Sequence, residues 1–336
     1  MKRGPTVGPC TSKELPRLRK LLNEVFITER NAQGDIFEFA PLLYNEANVV
    51  NLRVVRDGRK IVGHAGICVR PIRWRGQLLQ AGLIGGVCAR EELRGQGIGT
   101  LVMQDVAEHM AELGLDFGVL WTGSQAFYER LGWRTMGGIS MMRVEEAPGQ
   151  AECCCELMLL AESPFRPEDC HRLHAEAARS EVVRTPEETQ VLMNAAGRVT
   201  WLALEGGRLS GYATLTGDTI REIEGDAEVC ITLIEHAACE GARRCVFALN
   251  DPRIAAVEEA LPVDLVRSPL GMFLIVNRDS LVAKIADEAG ATPEDLGIGV
   301  GESDEVLMER VLGGPDLEPS DAPLPLDIHI GYLDHV

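Results

Sequence analysis

Residues 87–110 read VCAREELRGQGIGTLVMQDVAEHM, and their order decides the fold class. An apolar strand end leads into a loop carrying Gly95, Gly97 and Gly99, and an amphipathic helix follows. Backbone N–H groups approach an anion closely only where no Cβ intervenes, and a helix N-terminus adds the positive end of its dipole. The run Arg94-Gly95-Gln96-Gly97-Ile98-Gly99-Thr100 is therefore expected to cradle a pyrophosphate; a plain glycine turn into a helix is the other reading of the same spacing. A dinucleotide fingerprint fits less well, because it needs G-x-G-x-x-G and an acid at the end of the next strand, whereas Asp116 stands at the beginning of its strand. The P-loop pattern G-x-x-x-x-G-K-[ST] does not occur.

Outward from this stretch, Ile98, Leu101, Val102, Val106, Met110 and Leu113 share one helical face, and Gly114 supplies the stop. A short core strand is expected at 116–121 and a short helix at 125–131, closed by Gly132. Upstream, Thr11 and Glu14 have capping-box spacing, and Leu15, Leu18, Leu21, Leu22, Val25 and Phe26 recur at helical intervals. A second helix is expected near 37–46. Strands at 49–56 and 60–69 flank the turn Asp57-Gly58 as a hairpin, and Arg75-Gly76 turns into a glycine-rich apolar strand over 77–89.

Loop formers at Ala147-Pro148-Gly149 mark a boundary before a strand-like run at 153–161. Beyond it we expect helices at 167–180 and 186–196, strands at 199–205, 210–216 and 219–224, a helix at 227–240 and a strand at 245–249. This order broadly repeats the first unit without a residue-level repeat. From about residue 265 a strand, two short helices and the end PLPLDIHIGYLDHV complete the chain, and so apolar an end is expected to be docked.

At 336 residues the chain is long enough for two or three domains. The net charge of −18 is uneven: residues 1–146 hold 19 Lys/Arg against 16 Asp/Glu, and residues 147–336 hold 14 against 35. The basic region suits an anionic cofactor; the acidic remainder opposes nucleic acid and attracts cationic amines, with solubility as its simpler use. Ten cysteines without framework or C-x-x-C spacing point to a reduced, cytoplasmic setting. No secretory leader and no run of ~18 apolar residues is present, so no membrane partner is expected.

Two motifs carry a resemblance. RGQGIG at 94–99 matches [RQ]-x-x-G-x-[GA], the acyl-CoA motif of Gcn5-related N-acetyltransferases (GNAT), and AFYERLGWR at 126–134 resembles the F-Y-x-x-x-G-[FW] element those enzymes place after their fifth strand. The stretch GHAGICVRPIRWRGQLLQAGLIGGVCAREELRGQGIG at 63–99, backed by a second acidic unit, is similar to the multi-domain enhanced-intracellular-survival (Eis-like) branch. VVRTPEE at 182–188 and GYATL at 211–215 look like pieces of that branch's degenerate second GNAT-like domain, and GMFLIVNRDSL at 271–281 like the start of its sterol-carrier-like tail. Glu91 stands where the branch often has proline, and the tail of about 70 residues is shorter than the branch's third domain.

The resemblance implies an α/β (α+β) GNAT fold with a mixed, splayed central sheet. It divides the chain into a catalytic acyl-CoA-binding domain at 1–146, a degenerate GNAT-like domain at 147–264 and a short closing tail at 265–336. Acetyl-CoA is the implied co-substrate, held by Val87, Cys88, Ala89, the cradle Arg94, Gly95, Gln96, Gly97, Ile98, Gly99 and Thr100, and Ser124. Tyr128 is the implied general acid, since a phenol of ordinary pKa ~10 suits a thiolate leaving group. By the same resemblance the α-carboxylate of Val336 takes the proton of the attacking amine, a packed strand without chemical role being the alternative. The acceptor is a small-molecule or side-chain amine; an acyl-CoA sensor without catalysis, and a protein-lysine acetyltransferase, remain the rival readings. Cys88 is expected to be structural rather than an acyl carrier. Cys170, His171 and His174 are read as a solvated helix face, Cys153–Cys155 as strand packing, and no metal is assigned. Trp74, Phe37 and Phe39 are candidates for the acceptor pocket, with ordinary packing as their simpler role.

Overall fold

The computed structural model describes residues 4–144, 155–177, 180–299, 301–313, 328–330 and 334–336; the expected boundary at 147–149 and Cys153 and Cys154 lie outside them. The chain opens with β1 (Thr6–Pro9), α1 (Leu15–Asn23) prolonged by a π-helical turn (Glu24–Thr28), α2 (Ile36–Phe39), β2 (Leu52–Asp57), β3 (Lys60–Trp74), β4 (Gln77–Ala89), α3 (Ile98–Glu112), β5 (Phe117–Leu120), α4 (Gln125–Glu129) and β6 (Arg134–Val144). It continues with β7 (Glu156–Leu159), α5 (Pro167–Glu176), β8 (Ser180–Val182), α6 (Pro186–Met193), β9 (Arg198–Glu205), β10 (Arg208–Thr216), β11 (Thr219–Glu224), α7 (Ala227–Cys239), β12 (Arg244–Ala248), α8 (Ile254–Ala260) and β13 (Val263–Ile275). Helices α9 (Arg278–Ala289) and α10 (Asp304–Leu312) and the short β14 (Ile328–His329) follow.

The described strands form one mixed sheet in the order β1-β2-β3-β4-β5-β13-β6-β12-β11-β10-β9-β7, with β8 and β14 branching from β3. Two stretches are built alike. β2, β3 and β4 are antiparallel, α3 crosses over, and β5 returns parallel to β4. β9, β10 and β11 are likewise antiparallel, α7 crosses over, and β12 returns parallel to β11. A crossover helix is what lets sequential strands pair in parallel. The strands that end the two stretches are exchanged: β13 lies between β5 and β6, while β6 reaches across to β12.

Helices cover both faces, which is why the central strands read as continuous apolar runs rather than alternating ones. On one face α3 packs Ile98, Val102, Met103, Val106 and Met110 with Val55, Ile67 and Ile84. On the other, Leu18, Leu21 and Leu22 of α1 share a core with Leu281 and Ile285 of α9 and with Leu307, Met308 and Val311 of α10. Each such side chain contributes about 1.5–3 kcal/mol when fully buried.

Several expectations shift. The helix expected at 37–46 is one turn, α2, because Ala40 leaves helical geometry (φ −127°, ψ 64°) ahead of Pro41, as the proline ring requires. Of the strand expected at 153–161, the described residues form Glu156–Leu159, followed by a 3-10 turn from Leu160. Three strands absent from the sequence reading are present: β1, β8 and, most consequentially, β6.

Candidate active site: an opened strand, an uncapped helix and the chain end

Strand β4 opens the site. Its ladder to β5 covers Ala81–Ile84, yet β4 runs on to Ala89. Between the pairs Gly66↔Gly85 and His64↔Cys88 the register against β3 gains one residue on β4. This is a bulge, centred on Gly86 at φ +62°, and it bends a strand away from its neighbour. Glycine is required there: a Cβ on Gly86 would stand 2.0 Å from the Tyr44 hydroxyl. The Gly86 carbonyl accepts from Nδ1 of His64 at 2.8 Å. His64 is fully buried, and burial lowers its pKa to about 4, so it is a neutral brace for the bulge.

The V between β4 and β5 is a cleft of about 1150 Å³ lined by Val87, Cys88, Ala89, Arg94, Gly99, Ser124, Tyr128 and Val336 among others. At its edge α3 begins without any side-chain cap; Gly97, its N-cap residue, has φ +82°. A Cβ on Gly95 or Gly97 would meet open space, although both sit at positive φ. The first-turn N–H groups of such a helix have no intrahelical partners. An uncapped helix start on a glycine loop facing open space fits a pyrophosphate. Arg94 is partly exposed and pairs with Glu29 at 2.5 Å.

Of the cradle, Arg94 and Gly99 line the cleft, while Gly95, Gln96, Gly97, Ile98 and Thr100 do not. Ile98 is buried in the core beneath α3, and Gln96 donates to the Glu92 carbonyl, so only their backbones are on offer. Trp74 is fully buried and borders a different cleft. Phe37 stacks on Tyr44, and Phe39 lines a small cavity with Asp334, His335 and Val336.

Tyr128 is 7% exposed. Burial pushes its phenol up to about 12, against a hydrogen bond to Thr122 that pulls it down. It stays protonated at any physiological pH and has a proton to give. Burial likewise pushes the Cys88 thiol up to about 12, which keeps it from acting as a thiolate nucleophile.

The chain end is tied down at each of its last three residues. Asp334 is buried and pairs with Arg184 at 2.5 Å and Arg70 at 3.7 Å. His335 stacks on Trp121, ring centroids 3.7 Å apart, and Trp121 is fixed by donating to the Leu270 carbonyl at 2.7 Å. Val336 lies on the β4 backbone: a Cβ on Gly85 would stand 2.7 Å from its carbonyl carbon. The end is docked, and it reaches the same cleft as Tyr128.

Sequence reasoning missed His64, Tyr44, Trp121 and the Arg184 anchor; only the pair Gly85-Gly86 inside an apolar strand signalled the bulge. The reading of Cys170 and His174 as a solvated face is corrected. Both are buried, because α5 packs against α6 and β10 around Leu192, Leu202 and Tyr212. His171, half-buried, meets the Thr189 hydroxyl at 3.1 Å.

Residues 6–136 match the family of acetyltransferase (GNAT) domains. Among curated proteins, none matches the chain. Solved structures with the same fold include a probable N-acyltransferase from Enterococcus faecalis, at 15% identity and TM-score 0.64, over 84% of this chain and 75% of the other. A GCN5-related N-acetyltransferase from Anabaena variabilis has 18% identity and TM-score 0.64 over 84% and 75%. Eis1 from Mycobacterium abscessus has 13% identity and TM-score 0.59 over 84% and 76%. No described helix is long and apolar enough to cross a membrane.

Proposed function

We propose that this chain, whose residues 6–136 form an acetyltransferase (GNAT) domain, moves an acetyl group from acetyl-CoA to an amine by direct attack. One observation carries the reading. A single cleft is lined by Arg94 and Gly99 of the glycine loop, by the opened strand, by Tyr128 and by the terminal Val336. Bound acetyl-CoA supplies the thioester carbonyl. The N–H groups at the start of α3 hold its pyrophosphate, and the exposed edge of Val87–Ala89 runs beside the pantetheine arm. Ser124 borders the same path. The amine nitrogen forms the new C–N bond, the C–S bond breaks, and Tyr128 gives its proton to the departing sulfur. The α-carboxylate of Val336 takes the amine proton, directly or through one water.

Residues 1–146 are the catalytic unit in this reading, residues 147–264 a GNAT-like unit without a cradle, and residues 265–336 a tail that closes the site. The repeated strand–helix–strand order supports the first two units; the units share strands, since β13 crosses the 264/265 boundary to lie between β5 and β6. The setting is the cytoplasm, and the acceptor is a small-molecule amine. Release of free thiol from acetyl-CoA, assayed across small amines and basic proteins, tests the proposal. Amine-dependent release is expected, fastest with small amines. No release with any acceptor, despite acetyl-CoA binding, makes the chain a sensor; release only with basic proteins makes it a lysine modifier.

A further inference from the structure

Two ion pairs tie the loop after β4 to the π-helical turn that prolongs α1. Arg90 meets Glu24 at 3.1 Å, and Arg94 meets Glu29 at 2.5 Å. The π turn makes both pairs possible at once. In an α-helix, residues five apart face different sides. Here the Glu29 N–H donates to the Glu24 carbonyl, five residues back, at 3.0 Å, and this wider winding brings the two glutamates toward one side. Single π turns attached to α-helices are frequent at functional sites.

The two pairs stand in different places. Glu24 borders a basic groove with Arg17, Lys20, Arg59 and Lys60, whereas Glu29 and Arg94 line the cleft that holds Tyr128 and Val336. Among the described residues, Glu29 is the only carboxylate side chain in that lining. The other cation there, Arg30, lies over the Phe26 ring at 4.9 Å. Phe26, Ile36 and Tyr44 add apolar surface to the wall.

Arg94 opens the glycine loop, so a pyrophosphate on that loop competes with Glu29 for its guanidinium. The Arg94 and Glu29 side chains are 46% and 30% exposed, and so exposed a pair favours its closed contact by no more than about fivefold. A pyrophosphate brings more charge and takes a guanidinium fork as well as a carboxylate does. Once Arg94 turns to phosphate, Glu29 faces the cleft as an unneutralised carboxylate, and its natural guest is an ammonium. That ammonium is not the nucleophile. A neighbouring carboxylate favours the charged form of an amine, while the attacking nitrogen needs its lone pair.

On the acetyl-transfer reading, which this step rests on, we infer that Glu29 selects acceptors with a second, charged nitrogen, and that Arg94 masks Glu29 until the cofactor's pyrophosphate draws the arginine away. The acceptor class is an amine with at least two basic nitrogens. One is held as ammonium on Glu29 while the other, neutral, reaches the thioester. Cofactor and acceptor binding are thereby coupled through one side chain that exchanges partners.

The test is calorimetry on the full chain with α,ω-diaminoalkanes and n-alkylamines of matched length, each titrated with and without CoA. Diamines are expected to bind wild type ~10-fold tighter than the matching monoamines, and CoA to tighten diamine binding by up to ~5-fold. Glu29→Gln is expected to erase both differences and to bind CoA as tightly as wild type or tighter. Glu24→Gln, which removes the pair outside the cleft, is expected to keep both. In turnover, Glu29→Gln is expected to raise KM for diamines rather than to lower kcat. The inference is overturned by equal affinity for the two amine series in wild type, by a CoA effect no greater for diamines than for monoamines, or by either difference persisting in Glu29→Gln. A wild-type chain that binds diamines in this coupled way yet releases no thiol loses the proposed reaction and keeps the Glu29 site. Because the wild-type comparison stands alone, a variant that fails to fold does not rescue the inference.

Discussion

The crossover helices α3 and α7 occupy matching places in the two halves of the sheet, and their first turns differ in one respect. The α3 start is Gly97, with no side chain over its N–H groups. The α7 start is Asp226, whose carboxylate accepts from the Val229 N–H. An N-cap carboxylate satisfies the donors that an anionic ligand would otherwise take. The strands that feed these helices differ in the same sense. β4 brings glycines and an opened edge, whereas β11 brings Glu222 and Glu224, both buried. One arrangement thus occurs twice, once with an uncapped helix start on a glycine loop and once with a capped start beside buried ion pairs.

The largest way to break this comparison is at the chemistry proposed for the first half. Tyr128→Phe is expected to lower turnover by ~10²–10⁴, the usual loss on removing a general acid, with acetyl-CoA affinity retained. Unchanged turnover with chemistry rate-limiting would remove Tyr128 from the mechanism. The second half is expected to fail through stability instead. Arg184 is fully buried with Glu222 at 2.6 Å and Asp334 at 2.5 Å. Arg184→Leu strands two buried carboxylates, at about 3–5 kcal/mol, read as a lower urea midpoint together with loss of turnover as Val336 lifts from the cleft.

That contribution depends on pH with a fixed sign. Burial raises the Asp334 and Glu222 pKa values, but the Arg184 charge outweighs it and holds both below the ordinary carboxylate range. Their stabilisation is complete above the unfolded value near ~4 and is lost as pH falls through the folded values. Acid titration followed by tryptophan fluorescence reports it, since Trp121 stacks on the adjacent His335. A tail that stays docked until the rest of the chain unfolds would contradict the anchor.

Smaller still is Asp226→Ala, which removes the α7 cap and costs ~1 kcal/mol. It is expected to shift the melting temperature by a few degrees and to create no new acetyl-CoA site, because Glu222 and Glu224 remain. The least effect is expected at alkaline pH. With its phenol raised to about 12, Tyr128 keeps its proton, so kcat stays level through pH 10; a fall centred near pH 9 would place a different acid in the site.

The sequence made the first half legible because its elements follow local rules. The Asp57-Gly58 turn, the strand Gln77–Ala89 and the helix beginning at Ile98 lie where turn chemistry and periodicity put them. β6 escaped because Gly137-Gly138 interrupts a strand flanked on both edges by β13 and β12, so it shows no alternation. The glycine loop that opens α3, the placement of Tyr128 on a short helix and the docked end follow motif and composition. The bulge at Gly86, the His64 brace and the Arg184 anchor do not, since each depends on partners 22 to 150 residues away in sequence. His174 misled for the same reason, as helical spacing alone does not tell which face is covered.

The central claim is that the chain has one anion-receiving helix start, at α3, and that it serves acetyl-CoA. Calorimetric titration of acetyl-CoA into the wild-type chain and into folded Gly97→Asp and Asp226→Ala variants tests it most directly. The account predicts one site per chain, retained in Asp226→Ala and weakened at least ~100-fold in Gly97→Asp, where a carboxylate replaces phosphate at the backbone donors. Undiminished binding by Gly97→Asp, or two sites per chain, would contradict it.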